Sequence, residues 1–278
     1  MTFSFNVKGL TPQDAQTGTG GGGETPTGGV FPKNIAGLVM CLDGEINSRS
    51  GVHDESINGM QNLLYAPYAG KSSTTGCLEV LNGTPTFTDK GCKLGGTCFY
   101  PSYSHNTLSF EVCLELGDAI LSDGLHFIIQ NLGKNSSYGG FQILTNNFEK
   151  AIFFQVQNTY SPVTKNIGIP FTSNKVYFAV TSVLNTANST KMYLNGEEVQ
   201  PTTYTDGIAS ALSYATNVSL GGQNSTSTSS STPTESNPYP EGAFYCPNDI
   251  FYSVRQWNRI LTPEEIKQNY LQDKKRFG

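Results

Sequence analysis

Polar and apolar positions alternate strictly along one stretch of the chain. Leu108, Phe110, Val112 and Leu114 are interleaved with Ser109, Glu111, Cys113 and Glu115. Successive side chains of a strand point to opposite faces, so this pattern predicts a half-buried strand with its polar phase turned to solvent. Residues 38–42 are apolar on both phases, which predicts a central strand buried on two sides. Similar runs at 125–130, 140–144, 151–157, 175–183, 190–194, 217–221 and 249–257 extend the series. Many short strands separated by turn-rich segments predict an all-β sandwich.

Two local signals set boundaries. Asn195-Gly196 lies between residues 191–194 and 197–199, and this dipeptide supplies the positive φ angles of a type I′ hairpin turn. Near the end of the chain, Thr262 is placed to cap a helix, Pro263 suits its first position, and Glu265 completes a capping box. Leu261 and Ile266 form the matching hydrophobic staple. Lys274, Lys275 and Arg276 then fall where the helix dipole favours cations. The chain is expected to close on one short helix docked outside the sheets.

The beginning of the chain has a different character. Residues 11–29 contain Gly18, Gly20, Gly21, Gly22, Gly23, Gly28 and Gly29 among Thr, Pro and Gln, without apolar periodicity. Such a composition predicts a flexible linker. It isolates residues 2–7, where Phe3, Phe5 and Val7 alternate with polar residues, and a lone strand cannot bury its own apolar face. These three side chains are therefore read as an anchor on a larger assembly. The organisation expected is an anchor strand and linker over 1–32, followed by a sandwich over 33–278.

Composition narrows the function classes. Charged residues are 14% of the chain, against about 25% in an average soluble domain, and Gly is abundant at 30 residues. The net charge of -5 comes without a basic block before the last residues, which argues against a nucleic-acid partner. Residues 1–10 lack the features of a signal peptide, and no stretch approaches the roughly 20 apolar residues of a bilayer span, so membrane insertion is not expected. The six cysteines form no C-x-x-C pair, and the expectation is reduced, mostly buried thiols.

The closing segment, residues 249–262 followed by Glu264, Glu265, Ile266, Asn269 and Tyr270, resembles the last strand and terminal helix of laminin-G-like and concanavalin A-like lectin-glucanase domains. Residues 176–181 with the hairpin 191–197 are similar to that family's central strand and hairpin. Residues 38–44 resemble its first strand and 218–222 its late strand. The blocks occur in the family's order, so the resemblance covers roughly residues 33–278. It implies a jelly-roll β-sandwich that binds glycans or proteins, with glycosidases among the relatives.

A retaining glycosidase needs two carboxylates about 5 Å apart across the scissile bond. The related glucanases carry a Glu-x-Asp-x-x-Glu run. The nearest match here is Glu111, Glu115 and Asp118, with Cys113 where the middle Asp belongs, so no catalytic residue is assigned and the two glutamates are read as a solvated outer face. Asp43, Glu45 and Asp54 crowd the segment after the first strand and offer hard oxygen ligands able to hold Ca²⁺, although their spacing matches no known loop motif. No other cofactor is implied. Sugar recognition combines aromatic faces with amides, and Tyr100, Tyr103, Tyr138, Asn135 and Tyr239 in predicted loops are the candidates.

These features predict a non-catalytic, carbohydrate-binding domain displayed on a virion surface. A bacteriophage decoration, head-fibre or tail protein, made in the host cytoplasm, fits the combination best. Its expected partners are virion proteins, through the N-terminal segment, and a host-surface glycan; self-association is left open. A purely structural capsid-cementing role and a divergent glycoside hydrolase are the alternatives.

Overall fold

The computed structural model describes residues 32, 35–48, 59–60, 62–63, 79–81, 84–95, 97–101, 106–117, 125–130, 140–146, 149–157, 163–209, 217–222 and 248–278. The proposed anchor strand and linker lie outside them. The elements run β1 (Leu38–Asp43), α1 (Gly44–Ser48), β2 (Glu79–Leu81), β3 (Thr86–Phe87), β4 (Cys92–Lys93), β5 (Thr97–Pro101), β6 (Thr107–Glu115), β7 (Leu125–Gln130) and β8 (Gly140–Asn146). They continue with β9 (Ala151–Gln157), β10 (Val163–Pro170), β11 (Lys175–Val183), β12 (Lys191–Leu194), β13 (Glu197–Glu198), β14 (Thr203–Asp206), β15 (Asn217–Leu220), β16 (Ile250–Trp257) and α2 (Pro263–Phe277).

Two antiparallel sheets make a β-sandwich. The front sheet has the order β13-β12-β11-β6-β16-β4-β3, with β1 also on β16, and the back sheet β14-β10-β9-β8-β7-β15-β5-β2. The core between them takes the inward phase of each strand: Phe110, Val112 and Leu114 from β6, Phe178 and Val180 from β11, Phe141 and Ile143 from β8, Ile152, Phe154 and Val156 from β9. Each such side chain, taken fully out of water, contributes about 1.5–3 kcal/mol. Phe110 and Phe141 meet across the sheets with ring centroids 5.0 Å apart.

The expected strands appear, β2, β3, β4, β5, β10 and β14 are added to them, and β1 differs in its place. Residues 38–43 are buried on both phases from Met40 on, but β1 pairs with β16 alone, apart from an isolated bridge from Leu42 to Asn62. Its depth comes from the inter-sheet core around Met40 and Leu42 on one phase and from Arg276 of α2 over Asp43 at its end, not from a central place in the sheet. Strand β10 was not among the expected strands, yet it pairs along its length with β9 and over residues 165–168 with β14. A buried pair closes that edge, Lys165 of β10 donating to Asp206 of β14 and to the Thr186 carbonyl at 3.0 Å.

The local signals act as expected. Asn195 and Gly196 have φ of 53° and 79°, and Leu194 pairs with Glu197 across the turn. Thr262 Oγ1 accepts from the Glu265 amide at 3.2 Å, and Glu265 Oε2 accepts from the Thr262 amide at 2.9 Å. Arg259 grips the same Glu265 with both terminal nitrogens at 2.8 and 2.9 Å, so the entry to α2 is held from the strand side too. Among the described residues, no helix is long and apolar enough to cross a membrane.

The outward phase of the front sheet is apolar as well. Cys113, Tyr177, Ala179, Tyr193, Tyr252 and Trp257 project from it and pack with Leu261, Ile266 and Phe277 of the closing segment. Helix α2 lies over this face. Gly196 leaves room for the approach, since a Cβ there would sit 2.7 Å from the Tyr270 ring. Cys41, Cys92 and Cys113 are buried thiols outside any disulfide, and burial pushes the Cys41 thiol up to about 12.

Candidate functional site

The two glutamates of β6 meet different fates. Glu111 is 1% exposed, not solvated as its place on the polar phase suggested, because α2 covers it. Asn269 of the helix donates to its Oε1 at 2.9 Å and Arg255 of β16 lies 3.5 Å from Oε2. Burial raises its carboxyl to about 7, against the opposing pull of Arg255 and the Asn269 hydrogen bond. Arg255 in turn forms a two-pronged bond with Asp273 of α2 at 2.7 and 2.8 Å, and Ser253 donates to the same carboxylate at 2.9 Å. Glu111 is thus closed to a substrate in this conformation. Glu115, at the strand end, accepts from the Tyr252 hydroxyl at 2.8 Å.

Asp43 and Glu45, candidates for a cation, face a cation supplied by the chain itself. Arg276 of α2 donates to Asp43 Oδ1 at 2.8 Å and to Glu45 Oε2 at 2.9 Å. Asp43 Oδ1 also accepts from the Ile46 amide at 2.9 Å, opening the short helix α1. Asp54 lies outside the described residues. No group of three or more His, Cys, Asp or Glu side chains able to hold a metal occurs among the described residues.

Of the sugar candidates, Tyr103, Asn135, Tyr138 and Tyr239 fall outside the described residues. Tyr100 lies on β5, where its backbone pairs with Val218 of β15, so its position is a strand and not a loop.

The outer face of the back sheet carries an arrangement that sequence reading missed. Gln130 of β7, Gln142 of β8, Gln155 of β9 and Asn166 of β10 stand directly opposite one another in successive pairings. Gln130 Nε2 donates to Gln142 Oε1 at 3.0 Å, Gln142 Nε2 to Gln155 Oε1 at 2.5 Å, and Gln155 Nε2 to Asn166 Oδ1 at 3.2 Å. The last three residues are half-buried. A side-chain amide has two N–H donors and a carbonyl with two lone pairs. In Gln142 and Gln155 the ladder uses one of each, leaving a donor and an acceptor for a ligand hydroxyl.

The next row along the strands is apolar. Phe127, Leu144, Phe153 and Gly168 are opposite one another in the same four strands, about 7 Å from the amide row. A Cβ on Gly168 would lie 2.5 Å from the Phe153 ring, so the ring lies across the glycine. Phe153 keeps only 7% of its surface, so the half-buried amides and not this ring are the accessible groups of the two rows.

The search of family models finds no match, and no curated protein matches the sequence. Solved structures do match. The receptor binding domain of a botulinum neurotoxin C/D mosaic serotype is 11% identical, with a TM-score of 0.55 over 86% of this chain and 52% of that one. The binding domain of botulinum neurotoxin DC, in complex with rat synaptotagmin II, is 9% identical, with a TM-score of 0.53 over 87% and 52%. The ligand binding domain of serotype D, in complex with N-acetylneuraminic acid, is 11% identical, with a TM-score of 0.51 over 84% and 50%. The chain spans about half the length of these domains. At such identity the likeness is one of fold, and what the chain shares with these binding domains is their β-sandwich architecture.

Proposed function

We propose that this protein is a non-catalytic carbohydrate-binding module that recognises glycan hydroxyls on the outer face of the back sheet. The observation that carries the reading is the amide ladder of Gln130, Gln142, Gln155 and Asn166. Sugars present hydroxyls that both donate and accept, and a rigid row of amides matches them without ordering new side chains on binding. The ladder stands on interior strands of the back sheet, which fixes it better than loops would. The shared fold of receptor-binding domains, one in complex with a sialic acid and another with a protein receptor, supports a binding role.

The finer proposal is display on a virion. Residues 1–10, with Phe3, Phe5 and Val7, would add as a strand to a partner sheet, and residues 11–29 would tether the sandwich of the laminin-G and concanavalin A type to the particle. Deletion of residues 1–10 should abolish incorporation and leave the sandwich folded.

A glycan array probed with the full chain and with a Gln142→Ala, Gln155→Ala double variant tests the glycan reading. The native chain should bind a restricted set of glycans, and the variant should lose that signal while keeping its circular dichroism spectrum. Binding unaltered in the variant would sink the reading of this face, and silence of the native chain across bacterial and animal glycans would favour a capsid-cementing role.

A further inference from the structure

A polar cleft opens on the outer face of the front sheet, where β4, β16 and β6 lie side by side. It encloses about 300 Å³ and is lined by Lys93, Glu115, Leu116, Gly117, Asn174, Asn248 and Ile250. That volume is at the small end of ligand pockets.

The strand register explains its composition. Ile250 of β16 pairs with Lys93 of β4 on one side and with Glu115 of β6 on the other. Their neighbours Phe251, Cys92 and Leu114 are in the inter-sheet core, so Lys93, Ile250 and Glu115 all belong to the outer face. The row therefore reads Lys93, Ile250, Glu115 and then Lys175 of β11, whose Nζ is turned away to the Phe277 carbonyl and the Tyr252 ring and does not line the cleft. The outer strands β4 and β6 lie two spacings apart, about 10 Å, with β16 between them. Glu115 is oriented by the Tyr252 hydroxyl, and Tyr252 is backed by the stacked Phe277 ring at 5.1 Å. Asn174 and Asn248, both exposed, add amides at the rim. Gly117 closes one wall against Asn248, with its amide donating to Asp249 Oδ1 at 2.8 Å.

We infer that this cleft is a subsite for a carboxylated sugar residue, its carboxylate on Lys93, its less polar ring face on Ile250, and its hydroxyls on Glu115, Asn174 and Asn248. A free α-amino acid fits less well, because its two charges are adjacent whereas the cleft holds its charges at opposite ends. The ligand class rests on the carbohydrate reading above, but the residues are separate from the amide ladder and lie on the other sheet.

Titration of the full chain with sodium D-glucuronate, D-glucose and sodium acetate, followed by saturation-transfer NMR, tests the inference. Glucuronate should bind and the other two should not. Lys93→Gln should weaken glucuronate about tenfold or more, since it removes a charge-assisted hydrogen bond. Asn174→Ala should weaken it less, and both variants should melt at the native temperature. Equal binding of glucose or acetate, glucuronate binding unaffected by Lys93→Gln, or no glucuronate binding at all would each overturn it. The Gln142→Ala, Gln155→Ala variant should still bind glucuronate in the cleft, so failure of the ladder and failure of the cleft give different results.

Discussion

The two outer faces of the sandwich solve the same problem in opposite ways. On the front sheet, Tyr177, Tyr193, Tyr252 and Trp257 make the outward phase apolar, and α2 covers it, burying Glu111, Arg255 and Asp273 in the process. On the back sheet the outward phase includes a row of amides that satisfy one another, and three of them retain access to solvent. The front face therefore spends its polar groups on holding a helix. The back face leaves part of its hydrogen-bonding capacity open to solvent. Polar residues on a strand's outer phase thus mean different things depending on what lies over them.

The largest expected effect comes from breaking the front face. Arg255→Ala removes the partner of Asp273 and Glu111 and leaves buried carboxylates uncompensated, which should cost about 3–5 kcal/mol in urea unfolding. A change under about 1 kcal/mol would show that the network does not hold the helix.

Glu111 gives the front face a pH dependence that the ladder lacks. Its folded carboxyl is raised to about 7 from an ordinary value of 4.5, chiefly by burial. Between those values the folded state holds the proton more tightly than the unfolded one. The contribution is therefore full below pH 4.5 and is lost as pH rises through about 7, on the order of 3 kcal/mol in all. Glu111→Gln should remove that component of the stability profile between pH 4.5 and 7 and stabilise the protein at pH 8. An unaltered slope would contradict the assignment.

A smaller effect is expected on the back face. Gly168→Ala places a Cβ against the Phe153 ring and should cost about 1–3 kcal/mol by overpacking, read as a lowered melting temperature. Thr262→Ala removes one half of the capping box and should cost about 1 kcal/mol. A change of similar size, about 0.5–1.5 kcal/mol, is expected of Gln155→Ala, because the partners of its amide can turn to water. A loss as large as that of Arg255→Ala would mean that the ladder is a structural device and not a recognition surface.

Particular residues show how much of this was legible. The alternation in 108–115 correctly placed Phe110, Val112 and Leu114 in the core, and Thr262 with Glu265 located the helix start, because both signals are local. The same alternation misjudged Glu111, since period two tells which side of the sheet a residue is on but not what covers that side. Gln142 and Gln155 were visible as polar residues between core neighbours, Phe141 with Ile143 and Phe154 with Val156. Their alignment was not, and neither was that of Asn166, because pairing between strands is set by register and not by local pattern. The metal candidates Asp43 and Glu45 could not announce Arg276, which is more than two hundred residues away.

By itself the sequence determined most of the longer strands, where the type I′ hairpin turns and where the last helix begins, since periodicity, Asn-Gly chemistry and capping act over a few residues. Tertiary structure alone decided that one outer face is sealed and that the other carries a ladder. It also set the row of Lys93, Ile250 and Glu115. Each of these depends on register between strands far apart in the chain, and a slip of one residue would turn every one of those side chains to the opposite face.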